Sequence, residues 1–194
     1  NILIIDFNSM SMYYVVKYTG KFGFIKPWTA VRDGLTYSQQ FLSPSTLEGI
    51  EKKLFPETLT QNGVISKIKR YRLSYSSIDV QQEQTQTRGF NGKKKIRERS
   101  VLNRGIMIDP ILYLAFEDYD EALMASKQHV CLCRNEDILL PDSMIEEMDE
   151  SSFNSIKGFE MRFGKSEQSF MVGYSRFDNS PMYGWLEIDG QSIL

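Results

Sequence analysis

The stretch from Gln81 to Lys95 holds too few apolar groups to enter a hydrophobic core, yet it lies between runs that read as strands. Any core that this chain builds must therefore expel it, as a projecting hairpin or a flexible arm. Gly89, Asn91 and Gly92 supply the residues on which such an arm can turn.

Charge is segregated along the same region. Between Lys67 and Arg104 the chain carries Lys67, Lys69, Arg70, Arg72, Arg88, Lys93, Lys94, Lys95, Arg97, Arg99 and Arg104 against only Asp79, Glu83 and Glu98. That span is worth about +8, whereas the whole chain is formally −2, so the remainder sums to about −10, most of it after Phe116. A polyanion would meet two different proteins.

With 194 residues, 41% of them hydrophobic, the chain is expected to form one domain with one core. The longest clean apolar run is Ile111 to Phe116, far short of the roughly 18 residues that span a bilayer, and Asn1-Ile-Leu-Ile-Ile is too short for a signal core. A cytoplasmic protein without a membrane partner is expected. Cys131 and Cys133, two residues apart in one strand run, are not expected to bridge, which suits a reducing compartment.

The pattern is mixed α and β. Met12 to Tyr18 and Lys21 to Trp28 read as strands around a Thr19-Gly20 turn, followed by a loop over Thr29 to Gly34. Leu42 to Phe55 reads as a helix that places Leu47, Ile50, Leu54 and Phe55 on one face and stops at Pro56. Ser45 and Glu48 form a capping box, with Ser43 before Pro44 as the alternative cap. Val64 to Val80 alternates basic and apolar residues, as a strand would with one side on a core and the other on phosphate. Ile106 to Phe116 reads as a strand interrupted at Asp109-Pro110, Asp118 to Ser126 as a short helix, Val130 to Arg134 as a strand, and Ser143 to Glu150 as an acidic, helical segment. Strands follow to the end, with turns near Gly164, Asn179-Ser-Pro and Asp189-Gly.

Familiar catalytic patterns are missing from the chain. His129-x-Cys131-x-Cys133 offers three metal donors where zinc wants four, a phosphate-binding glycine loop and a nucleophile elbow are both lacking, and no catalytic residue, metal or cofactor is expected. The basic arm is different, because its Arg and Lys are interleaved with Tyr71, Tyr75 and Phe90. Guanidinium forks bind phosphate and aromatic faces stack on unpaired bases, so the combination favours single-stranded or irregular nucleic acid over a duplex groove. An acidic protein surface is the competing partner.

Set in order, several segments resemble the Cas-five family, subunits that cap the crRNA five-prime end in type I CRISPR surveillance complexes. Val15-Val-Lys-Tyr-Thr-Gly-Lys-Phe-Gly-Phe-Ile-Lys-Pro is similar to that family's first strand, glycine turn and aromatic segment. Leu35-Thr-Tyr-Ser and Leu42-Ser-Pro-Ser-Thr-Leu-Glu-Gly-Ile are similar to its L-T-Y step and helix start, Thr87-Arg88, Arg97 to Arg104 and Pro110 to Phe116 to its arginine-bearing stretch and following strand, and Leu132-Cys-Arg-Asn-Glu-Asp137 to an L-G-R-S-E-D motif. Cys133 stands where that motif has glycine.

The resemblance implies an α+β fold with a ferredoxin-like, RRM-related palm over 1–77 and 100–194 and a projecting β-hairpin thumb over about 78–99. It implies a non-catalytic RNA-binding subunit that holds the crRNA five-prime handle, packs beside Cas-seven-type backbone subunits and a large Cas-eight-type subunit, and serves DNA targeting indirectly, in a type I-B-like or transposon-associated complex. Charge and resemblance together nominate Lys26, Trp28, Arg32, Tyr37, Ser45, Lys67, Arg70, Arg88, Phe90, Lys93, Lys94, Lys95, Arg97, Arg99, Arg104 and Arg134 as RNA-binding residues. Two alternatives stand beside this reading. One is a phage or mobile-element structural protein whose arm docks on an acidic partner. The other is a guide-precursor endoribonuclease of the type I-C kind, whose tyrosine Tyr37 resembles, although His129 does not fall where that branch has its Lys-His pair.

Overall fold

The structure, a computed structural model, describes residues 12–27, 34–174 and 179–189. The first strand, β1 (Met12–Thr19), forms where β-branched and aromatic residues run together, and both of its faces are covered. Val16 and Tyr18 enter the main core. Tyr13 and Val15 meet Ala115 and Phe153 in a smaller cluster on the opposite face.

After β2 (Phe22–Gly23) and β3 (Leu35–Tyr37) comes helix α1 (Pro44–Leu54). The segment expected as a strand over Lys21 to Trp28 is thus a strand at only two positions, and Trp28 lies outside the described residues. Ser43 caps α1, its side-chain oxygen accepting from Thr46 N at 3.2 Å, and Pro44 fills the first helical position, where a missing N–H costs nothing. The Ser45–Glu48 box is therefore not the cap. Leu47, Ile50 and Leu54 are buried as expected, and the helix ends before Phe55 and a single 3-10 turn, Pro56–Thr58.

Buried Glu51 organises the segment after the turn. Its carboxylate accepts from Ser66 N at 2.8 Å, Lys67 N at 2.9 Å and Ile68 N at 2.8 Å, pinning the loop ahead of β4 (Arg70–Ser74). The single strand expected over Val64 to Val80 is accordingly divided into a pinned loop, β4, and the start of β5 (Ser77–Asn91). β6 (Ile96–Ile108) pairs antiparallel with β5. Fifteen residues at about 3.3 Å each give a hairpin of roughly 50 Å. The expected arm, 78–99, falls within it, and the paired strands continue to Ile108.

The chain re-enters the body as β7 (Ile111–Phe116) through a corner. Asp109 adopts φ +46° ahead of Pro110, Asp109 N donates to Lys21 O at 2.9 Å and Ser76 N donates to Ile108 O at 2.9 Å. Helix α2 (Tyr119–Ala125) follows, capped by Asp118. The strand expected over Val130 to Arg134 is only β8 (Val130–Cys131), because residues 132–137 form a tight loop closed on buried Asp137. The helix expected over Ser143 to Glu150 is instead the end of a strand, β9 (Ile138–Asp149). Its ladder with β1, from Met12 opposite Asp149 to Thr19 opposite Leu140, overrides the acidic composition, and Asp149 caps the short helix α3 (Glu150–Asn154) that follows.

Strands β10 (Gly158–Phe163), β11 (Phe170–Tyr174) and β12 (Pro181–Asp189) complete the described chain. The fold is mixed α and β, dominated by antiparallel sheet. One sheet has eight strands in the order β11-β12-β10-β4-β7-β1-β9-β8. The second joins β2, β3 and β5 to β6, with β3 parallel to it. Leu47, Ile50 and Leu54 of α1 and Ala122 and Ala125 of α2 share one core with Leu73, Leu112, Leu114 and Phe116, so both helices cover the same face of the large sheet. Gly158, at φ +139°, lets β10 meet β4, since a β-carbon there would stand 2.6 Å from Leu73 O. No helix among the described residues is long and apolar enough to cross a membrane.

Candidate functional site

The hairpin tip is built by Asn91, whose side-chain oxygen accepts from Lys93 N and Lys94 N at 3.2 Å each, and by Lys95 at φ +54°. Lys93, Lys94 and Lys95 are exposed on this turn. Arg88, Phe90, Arg97 and Arg99 belong to the same hairpin by backbone register, Phe90 opposite Arg97 and Gln86 opposite Arg99. Their side chains, like all of Trp28 and Arg32, lie outside the described residues.

The hairpin base is fastened to the body around Phe24, which is buried. The Arg104 guanidinium lies 5.5 Å and that of Arg134 5.4 Å from the Phe24 ring, a pair of cation–π contacts on one aromatic side chain. Arg104 donates to Glu83 at 3.3 Å. Arg134 makes a forked pair with Asp137, with Nη2 to Oδ1 at 2.7 Å and Nε to Oδ2 at 2.9 Å, and reaches Gln81 of β5 at 3.2 Å. The hydrogen bonds to Asp137 hold the Arg134 pKa above its ordinary value despite partial burial. Arg134, nominated as an RNA contact, therefore ties the 132–137 loop to the hairpin.

Tyr37 lies beside this base, 55% exposed on β3. Its ring rests on Gly105, where a β-carbon would come within 2.8 Å of Cε1, so the glycine is needed for the ring to lie against the β6 backbone. Lys26 is exposed on the neighbouring segment, fixed where Ile25 N donates to Ser38 Oγ at 2.9 Å and Gln39 N donates to Ile25 O at 2.8 Å. Ser45 is exposed in the first turn of α1, 3.0 Å from Ser43 Oγ.

Two nominated residues face carboxylates. Lys67 pairs with Glu121 at 2.8 Å and Glu57 at 3.2 Å, and the hydrogen bond to Glu121 leads in holding its pKa above the ordinary lysine value. Arg70 is buried, with a side chain only 3% exposed. It donates through Nε to Glu160 at 2.8 Å and also meets Glu150, Glu187 and Asn154. Burial works against its charge, but Glu160 and Glu187 outweigh that and hold its pKa above the ordinary arginine value. Arg70 is thus removed from any surface, contrary to the expectation of a phosphate-facing side to this strand, and its neighbour Arg72 shares Glu187 at 3.2 Å.

Sequence reading missed Glu51, Glu160 and Glu187. A signal existed, since Glu160 and Glu187 each stand alone in an apolar strand run, Phe-Glu-Met and Leu-Glu-Ile, and a lone carboxylate in such a run calls for a buried cation. Among the described residues no three His, Cys, Asp or Glu side chains converge as a metal site, and Cys131 and Cys133 are free thiols. No protein-family model matches the chain, and no curated protein matches it.

Proposed function

We propose that this chain is a non-catalytic RNA-binding subunit similar to the Cas-five family, which caps the five-prime handle of a crRNA in a type I CRISPR surveillance complex. The observation that carries the reading is the arrangement of the body and its insertion. With the short strands β2, β3 and β8 and the hairpin set aside, β1, α1, β4, β7, α2 and β9 come in chain order as β-α-β-β-α-β, and their strands stand side by side as β4-β7-β1-β9 with both helices on one face. That order is the one a ferredoxin-like, RRM-related palm requires. The long hairpin is inserted between β4 and β7, where a thumb would project, and it carries three exposed lysines at its tip.

In this reading the lysines hold phosphates and the chain retains RNA without cutting it. Cas-seven-type and Cas-eight-type subunits pack alongside, and target DNA is served through the guide. Binding of a single-stranded RNA should weaken linearly on a log–log plot against salt, with a slope of about −0.7 for each phosphate contact. Replacing Lys93, Lys94 and Lys95 by Gln should flatten that slope by roughly two units if all three touch phosphate. A salt-insensitive interaction, or a slope that the triple variant leaves unchanged, would remove the hairpin tip from the account.

A further inference from the structure

The two faces of the hairpin base differ in chemistry. Residues directly opposite in a ladder share a face. One row holds Val80, Gly105 and Tyr37, and the next holds Gln82, Asn103 and Leu35, with Val101 one step further along β6. No charged side chain falls in these rows. The opposite face carries Asp79, Gln81, Glu83 and Arg104, and Gln81 and Arg104 are the residues that fasten it to the body.

The uncharged face is open. Leu35 is 45%, Val80 48% and Val101 51% exposed, and the outer side of the Tyr37 ring is available while its inner side rests on Gly105. Amides alternate with these apolar groups. Gln82 is exposed, and Asn103 Oδ1 is buried with no hydrogen-bond partner among the described residues. Lys26 is exposed on the segment whose Ile25 backbone bonds to Ser38 and Gln39, just after Tyr37, the lysine turn lies at the far end of the hairpin, and no carboxylate falls in these rows among the described residues.

We propose that this face receives the unpaired bases of a single-stranded RNA, with Tyr37 as the stacking platform and the exposed amide of Gln82 meeting base edges. The phosphates run towards Lys26 and the tip lysines. The proposal rests on the RNA-binding reading above and adds to it which surface touches bases and which touches phosphate. A flat ring with one free side suits any base, and an amide offers donor and acceptor together, as a base edge requires. Three strands at about 4.8 Å spacing make a strip wide enough for a single row of nucleotides, and the alternation of amide and apolar groups leaves no continuous apolar core for a protein partner.

The test compares an oligouridine and an oligoadenosine with an abasic ribose-phosphate chain of the same length and charge. The intact protein should bind the base-bearing chains at least several-fold more tightly. Tyr37→Ala should lower affinity for them roughly five- to a hundredfold, leave binding of the abasic chain unchanged and keep the salt slope, whereas Tyr37→Trp should retain affinity and show that the fold is intact. Equal binding of base-bearing and abasic chains with a steep salt slope would overturn this proposal and leave the RNA-binding reading standing. Binding of neither chain would overturn both. Protection of this face from hydrogen exchange by a polypeptide, but not by oligonucleotide, would assign it to protein docking instead.

Discussion

Arg70 and Arg72 stand two residues apart on β4, and their surroundings show how position decides what a basic residue does. Both are almost fully buried, facing Glu160 and Glu187 on strands 90 and 115 residues away in sequence. Breaking such a buried cluster by removing one partner leaves uncompensated charge and costs about 3–5 kcal/mol. Glu160→Gln should therefore lower the melting temperature by roughly 6–20 °C at 2–4 °C per kcal/mol for a chain of this length. A melting temperature within a degree or two of wild type would mean that Glu187 and Glu150 neutralise the pair unaided. The same cluster sets an acid limit. Partial burial raises the Glu187 pKa, but hydrogen bonds from Arg162 and Trp185 outweigh it and leave it below the ordinary 4.5. A carboxylate with a depressed folded pKa contributes stability that is present above the unfolded value and lost as pH falls through the folded one. Denaturant unfolding followed from about pH 6 to about pH 3 should show that loss below 4.5, and Glu187→Gln should reduce it.

Among elements, the hairpin depends on its base. Arg134 links the loop of residues 132–137 to β5 and, through Phe24, to the ring that Arg104 covers from β6. Arg134→Ala should speed hydrogen exchange at the paired amides near Gln81 and Arg104 while leaving β1 and β7 protected, and a uniform or absent change would mean that the hairpin is held without this residue. Short-range signals predicted these elements unevenly. Ser43-Pro44 and Asp118 announce helix starts, and the polar stretch of 81–95 announces an element outside the core, since each depends on neighbours in sequence. β9 was hidden because its acidic stretch is held extended by pairing with β1, more than a hundred residues earlier. Arg70 was misread for a related reason. Alternation shows that two sides of a strand differ, but not that the polar side faces Glu160 and Glu187 rather than water or phosphate.

Across the whole molecule, the segregation of charge in the sequence is only partly a segregation in space. Lys67, Lys69, Arg70, Arg72 and Arg104 all have carboxylate partners within the fold, so the basic span feeds internal ion pairs as well as the hairpin tip. What reaches outward from the described residues is a long two-stranded element with lysines at its end, an uncharged face at its base and a body whose later strands carry the acid. A polyanion would be drawn to the hairpin and repelled elsewhere, which sets orientation as well as affinity. The measurement that bears most directly on the proposed guide-capping role is to purify the protein from its native host with its neighbours and sequence the RNA that accompanies it. The account predicts short RNAs sharing one fixed five-prime end, lost when Lys93, Lys94 and Lys95 are neutralised. A complex free of RNA, or one carrying random fragments retained equally by the variant, would contradict it.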